Sequence, residues 1–241
     1  MRTYVFAMAL VFSFFAVPTV HALEETTQEQ LVAGDEVVPL TDLERTLLSQ
    51  FREPQLEHAT KQKILENYTA LDPMGLIPPS LLETALLYYH ENSHLLERHD
   101  YLTIVNLRAP SSQKRMFILN MNTGVVWPLH VAHGAGSDRD NDGLATEFSN
   151  TVNSNMSSLG FYRTAEAYRG AHGRSLRMDG LSESNSKVRE RAIVIHGADY
   201  VKDRERKQGR SWGCFAVSRK ARDQVVSILQ EGTIIYAGLA D

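Results

Sequence analysis

The spacing of apolar residues changes near residue 100, and that change restricts the folds open to the chain. From residue 41 to 99 the spacing is helical. Thr41 or Asp42 can cap a first helix with Leu43, Leu47, Leu48 and Phe51 along one face. Pro54 is expected to open a second helix through Ile64, Leu65 and Tyr68. Pro78 and Pro79 precede a third, from Leu81 to about His94, with Leu82, Ala85, Leu86 and Tyr89 turned inward. From Tyr101 the period becomes two. Tyr101–Leu107, Lys114–Asn120 and Val125–Ala132 read as strands, with Asn122, Thr123 and Gly124 as a turn. A Gly-, Ser- and Asn-rich stretch follows to Asn185, with a strand pair expected around Gly160–Tyr162 and Ser175–Met178. Ala192–Ile195 is a short buried strand that delivers His196 and Gly197 at its end. Ser218 can cap a helix from Arg219 to about Gln230, Gly232 ends it, and Thr233–Ala237 is a last strand. The fold class is α+β and β-rich, without the strand–helix alternation of a doubly wound sheet.

Upstream of this pattern, Arg2 precedes an almost charge-free run from Tyr4 to Val17, and Pro18 ends it. Val20, His21 and Ala22 form a small-residue cleavage signature. Residues 1–22 therefore read as a signal peptide, 23–40 as a flexible leader, 41–99 as a helical subdomain and 100–241 as a β-rich domain. The apolar run is short for a bilayer span, and no later segment approaches one, so the mature chain is expected to lack a transmembrane segment. Lys plus Arg number 25 against 29 Asp plus Glu, a net charge of −4. There is no basic excess to neutralise phosphates, so nucleic acid is not expected as a partner.

An exported chain with one cysteine, Cys214, cannot form an internal disulfide. The thiol is either a small buried hydrophobe or a nucleophile. Its neighbours favour the second reading. A thiol needs a base to become a thiolate, and an imidazole can serve and later protonate a leaving amine. His196 lies within loop reach. Gly213 leaves room for a substrate backbone, the N–H groups of Gly213 and Cys214 could hold an oxyanion, and the Gly197 carbonyl could orient the imidazole.

His196-Gly197 followed by Ser211-Trp212-Gly213-Cys214 resembles the signature of the murein L,D-transpeptidases, the YkuD-like catalytic family. The likeness extends through Ala132–Gly134, Phe148–Asn150, Ser157–Tyr162, Gly170–Leu176 and Arg191–Val201. It implies a β-sandwich with short helices, Cys214 as nucleophile, His196 as general base and acid, Gly197 as its orienting carbonyl and Ser211 as a loop support. It also implies a periplasmic or wall-associated enzyme that acts on peptidoglycan stem peptides without a metal or organic cofactor. Transfer, hydrolysis of the same bond (an L,D-carboxypeptidase) and a non-catalytic wall-binding role are the readings it leaves open. Two positions depart from the family pattern: Phe215 stands where Pro is common, and Ala216 where many members carry Arg. Arg210, Arg174, Arg163 and His172 are the candidates to hold substrate carboxylates instead; His133 could line the cleft and Trp212 could wall it.

Asp138, Asp140, Asp142 and Gly143 have the spacing that begins a calcium loop, but the twelfth position is Ser149. A solvated acidic turn is the simpler reading, and no metal is assigned. His90 and His94 are spaced as helical metal ligands without a third partner, so solvated side chains are expected.

Overall fold

The segments of period two pair into one sheet. The computed structural model describes residues 37–240; the expected signal peptide and most of the leader lie outside them. Helices α1 (Asp42–Leu48), α2 (His58–Leu65) and α3 (Pro79–Asn92) come first. Strands β1 (Tyr101–Asn106), β2 (Met116–Asn120), β3 (Val126–Leu129), β4 (Gly160–Gly170), β5 (Gly173–Gly180), β6 (Val194–Ala198) and β7 (Phe215–Ser218) follow. Helix α4 (Arg219–Leu229) and β8 (Ile234–Gly238) complete the order. The sheet runs β3-β2-β1-β8-β4-β5-β6-β7, antiparallel except at β1–β8 and β6–β7.

The two ends of this sheet meet. Beyond β3 the chain runs beside β7: the Ala132 N–H donates to Ala216 O at 2.9 Å, and the Ser211 N–H donates to His133 O at 2.9 Å. The layers expected of a sandwich are thus halves of one hydrogen-bonded sheet. Met116, Ile118 and Leu129 from one half face Leu176, Ile195, Phe215 and Val217 from the other. Helix α4 closes this core with Val225, Val226 and Leu229, and the Ser218 hydroxyl caps it by accepting from the Ala221 N–H at 3.2 Å.

A second core joins α3 to the sheet. Leu81, Ala85, Leu86, Tyr88 and Tyr89 pack on Leu102, Ile104, Phe117, Leu119 and Phe161. Phe161 stacks between Tyr88 and Tyr236, with ring centroids 3.6 and 4.5 Å away. The buried stripe of α3 is wider than a single helical face, taking in Leu87 and Asn92 as well. Asn92 explains why Pro54 opens no helix. Its amide accepts from the Arg52 N–H and donates to Arg52 O, both at 2.9 Å, which ties residues 51–53 extended along α3; α2 starts only at His58. Helix α1 buries no residue, and Leu43 is 81% exposed; its capping box between Thr41 and Glu44 is a local determinant of the turn. His90 accepts or donates to the Tyr68 hydroxyl at 3.0 Å rather than pairing with His94 in a metal site.

Near the sheet's closing edge two strand assignments differ from the sequence reading. β4 and β5 are longer than the expected pair, and His196 lies in the middle of β6 rather than at its end. The cause of the latter is β7, which sequence spacing did not reveal and which extends the pairing through Ala198↔Ser218.

Candidate active site

β6 and β7 lie parallel with Ile195 opposite Phe215 and His196 opposite Ala216. Ile195, Phe215 and Val217 enter the core under α4, so strand alternation turns His196 and Ala216 to the opposite face. There Ala216 is sealed among Ala132, Ala198 and Val201. An arginine at that position would have to bury its charge among methyl groups as this chain is packed. Phe215 is likewise a core residue, set edge-on against Tyr162 at 5.4 Å.

Cys214 precedes β7 and lines a cleft of about 320 Å³ with Trp212, His172, Tyr168, Arg191 and Ile193. The turn that presents it is held by Ser211, whose Oγ donates to Cys214 O at 2.8 Å and accepts the Gly213 N–H at 3.1 Å. Gly213 has φ +116°, and a Cβ there would stand 2.7 Å from Met156 O and 2.8 Å from Ile193 Cδ1. Only glycine fits. Because the Gly213 N–H is engaged by Ser211, an oxyanion could use it only after that bond breaks. The Cys214 thiol itself donates to Ala192 O at 3.8 Å. Ala192 adopts φ +51°, a left-handed conformation that costs on the order of 1 kcal/mol in a non-glycine residue.

His196 is fully buried. Its Nδ1 lies 3.3 Å from Gly197 O, and its ring stacks on that of His172 at 4.3 Å. The β4–β5 hairpin thus brings His172 from the cleft onto the imidazole, and the structure gathers Cys214, His196, Gly197, Ser211, Gly213, Trp212 and His172 in one place.

Three of the candidate arginines are elsewhere. Arg210 donates to the Asp138 carbonyl, Arg174 to Ser227 Oγ and Gln230 on the far side of α4, and Arg163 pairs with Glu97 and Asp179. None of the three lines the cleft. His133 does not line it either, being fully buried.

His133 belongs instead to a network that sequence spacing did not show. Arg115, also fully buried, donates to Val131 O at 3.1 and 2.9 Å, to Ala109 O at 2.8 Å and to His133 Nδ1 at 2.7 Å. With Nδ1 an acceptor, Nε2 carries the proton and donates to Asp138 Oδ2 at 3.0 Å. This network underlies the turn that presents Cys214, since the His133 carbonyl accepts the Ser211 N–H. Burial, then the Arg115 charge, pushes His133 down to about 4 against the pull of Asp138. Burial would raise the Asp138 carboxyl, but His133 and the N–H groups of Gly143 and Asp142 outweigh it and hold it below its ordinary value. The pH consequence has a definite sign. Between pH 6.5 and about 4 the unfolded chain binds a proton at His133 that the native state refuses. This residue should therefore cost stability as pH falls through that window, by about 1.4 kcal/mol per pH unit, and no more below it. Urea midpoints at pH 7, 5.5 and 4.5 measure this, and a loss that is the same in His133→Asn would assign it elsewhere.

Asp138, Asp140 and Asp142 bring one oxygen each within 4.8 Å of one another. Asp138 is turned inward to His133, and Asp142 Oδ1 accepts the Leu144 N–H at 2.7 Å, so the cluster is organised as a hydrogen-bonded turn.

A family model for the L,D-transpeptidase catalytic domain matches residues 75–237. The chain belongs to this family. The L,D-transpeptidase match begins just before α3 and ends in β8, so the family domain includes that helix as well as the whole sheet. Among solved structures, an L,D-transpeptidase from Mycobacterium smegmatis is similar at 9% identity and TM-score 0.37, over 58% of each chain. Bd1075 from Bdellovibrio bacteriovorus is similar at 14% identity and TM-score 0.36, over 58% of this chain and 49% of that one. An L,D-transpeptidase from Xylanimonas cellulosilytica is similar at 14% and TM-score 0.35, over 87% and 98%. The chain thus spans between about half and three fifths of the first two. No curated protein matches it in sequence. The family match, not these likenesses, carries the assignment. Among the described residues no helix is long and apolar enough to cross a membrane.

Proposed function

We propose that this L,D-transpeptidase-family chain is an exported cysteine acyltransferase that acts on the tetrapeptide stem of peptidoglycan. One observation carries the reading: the only cysteine stands at a cleft whose His172 stacks on the buried His196, and the Nδ1 of His196 faces the Gly197 carbonyl. With Nδ1–H donated to that carbonyl, Nε2 is the basic nitrogen. It takes the Cys214 proton, and the sulfur attacks the carbonyl carbon of the third, diamino-acid residue. Collapse of the tetrahedral adduct breaks the peptide bond, and the imidazolium returns the proton to the leaving D-Ala amine. An acceptor amine then attacks the thioester, Nε2 accepts its proton, and the thiol is restored. Ser211 acts through the turn it pins, and Trp212 offers an apolar wall that keeps water from the thioester. Residues 1–22 supply the export such a substrate requires, residues 23–40 act as a leader, and residues 41–99 form a helical subdomain whose third helix packs on the catalytic sheet.

Incubation with purified tetrapeptide muropeptides tests this by mass spectrometry. The expected products are free D-Ala and a cross-linked dimer. Tripeptide and D-Ala alone, even at high acceptor concentration, would establish a carboxypeptidase. No D-Ala at all would leave only wall binding.

A further inference from the structure

Arg191 occupies the turn before β6, and every hydrogen-bond partner of its guanidinium is neutral. Nη1 donates to Ser149 O at 2.7 Å and to Ser158 Oγ at 3.4 Å; Nη2 donates to Met156 O and, at 3.4 Å, to Ser154 Oγ. Carbonyl and hydroxyl dipoles fix such a group in place without cancelling its charge. Its position is next to the nucleophile on two counts. A Cβ on Gly213 would stand 3.1 Å from Nη2, which places the guanidinium against the backbone one residue before Cys214. The carbonyl that receives the thiol belongs to Ala192, the residue after Arg191. Arg191 and Cys214 also line the same cleft.

The Ala192 contact has an electrostatic consequence. A carbonyl oxygen attracts the S–H form of Cys214 and repels the thiolate, so the resting geometry by itself favours the unreactive form. A fixed cation nearby opposes that bias. We propose that Arg191 is a positioning residue that holds a permanent positive charge beside the Cys214 sulfur and favours the thiolate before substrate arrives. Burial lowers the guanidinium from its ordinary value, and the Tyr162 and Cys214 side chains pull it back up, as a cation close to an acidic thiol requires. The cleft also brings Tyr168 on β4, His172 at the β4–β5 hairpin and Glu190 at its edge, and His172 stacks on His196 of β6. Glu190 is exposed and opposes thiolate formation weakly; His196 favours it only while protonated. Among the described residues that line the cleft, Arg191 is the one permanent cation. This assignment rests on Cys214 being the reactive thiol of the proposed function, but not on which bond that thiol attacks.

The test is the pH dependence of Cys214 alkylation by iodoacetamide, followed by intact mass on the folded full chain. The wild type should show a midpoint below the roughly 8.5 of a free thiol. Arg191→Gln should raise the midpoint and slow alkylation at pH 7 about tenfold, while Arg191→Lys should keep most of the wild-type behaviour. A purely structural brace would leave the midpoint of Arg191→Gln unchanged, and that result overturns the proposal. Should Arg191→Gln fail to fold, His196→Ala gives the answer with Arg191 in place. With the imidazole removed, the midpoint should stay below about 8.5, and a midpoint at or above that value also overturns the proposal. Iodoacetamide requires no stem peptide, so the stated midpoints together with inert muropeptides would sink the peptidoglycan reading and leave Arg191 in its role.

Discussion

Cys214→Ala should abolish turnover of tetrapeptide stems, with a loss of at least about 10³-fold, while the protein stays folded. Removing one sulfur from a site at the rim of the core leaves a small gap, and the thiol's bond to Ala192 O is weak at 3.8 Å, so the stability loss should be about 1 kcal/mol. His196→Ala should come close to the same activity loss. Neither side chain forms an acyl-enzyme efficiently alone, so the double variant should be scarcely worse than either single one. Rates of D-Ala release for the three variants, with thermal melts to verify folding, decide the matter. Appreciable turnover by Cys214→Ala would remove covalent catalysis at this residue, and strictly multiplicative losses would mean that the two side chains act separately.

Gly213→Ala should be nearly as damaging for a different reason. At φ +116° any side chain is strained, and here a methyl group meets the Met156 carbonyl at 2.7 Å, an atom the Arg191 guanidinium holds in place. The backbone must move, and it carries the Cys214 thiol with it. Displacement of a reacting group by about 1 Å can cost about 10²-fold in rate. The strain itself should cost on the order of 1–3 kcal/mol of stability. The expected signature is a fall in turnover far larger than the fall in melting temperature explains, with the thiol still titratable by a disulfide reagent. Turnover within twofold of the wild type would show that the turn has slack that its packing does not suggest.

The parts of this site that were legible in the sequence are those whose chemistry is local. Ser211, Gly213 and Cys214 are close neighbours in the chain, and the Ser211 hydroxyl does bridge the two ends of that turn. His196 followed by Gly197 was legible for the same reason, since the Nδ1 contact is to the next residue's own carbonyl. The capped helix after Ser218 and the period-two run from Tyr101 also needed nothing beyond nearest neighbours. What was not legible depends on contacts between distant segments. β7 is only four residues long and shows as a strand only once β6 lies beside it. Arg115, His133 and Asp138 come together only when β2 and the turn after β3 pack, and no spacing rule relates them. Arg191 looked like one more charged residue before a strand because the carbonyls of Ser149 and Met156 that hold it come from an irregular loop. Arg210, Arg174 and Arg163 show the converse error. The absence of an arginine at Ala216 made them candidates for carboxylate binding, while each is committed to a partner outside the cleft.

The central claim is that the thiol of Cys214 carries the stem peptide as a thioester. Rapid quenching of the full chain with excess tetrapeptide muropeptide, followed by intact mass and peptide mapping, tests it directly. The account predicts a single adduct equal to the muropeptide minus D-Ala, located on the peptide that contains Cys214, absent from Cys214→Ala and discharged when an acceptor amine is added. Release of D-Ala by the wild type with no adduct on Cys214 at any quench time, together with a Cys214→Ala protein that remains active, would contradict it.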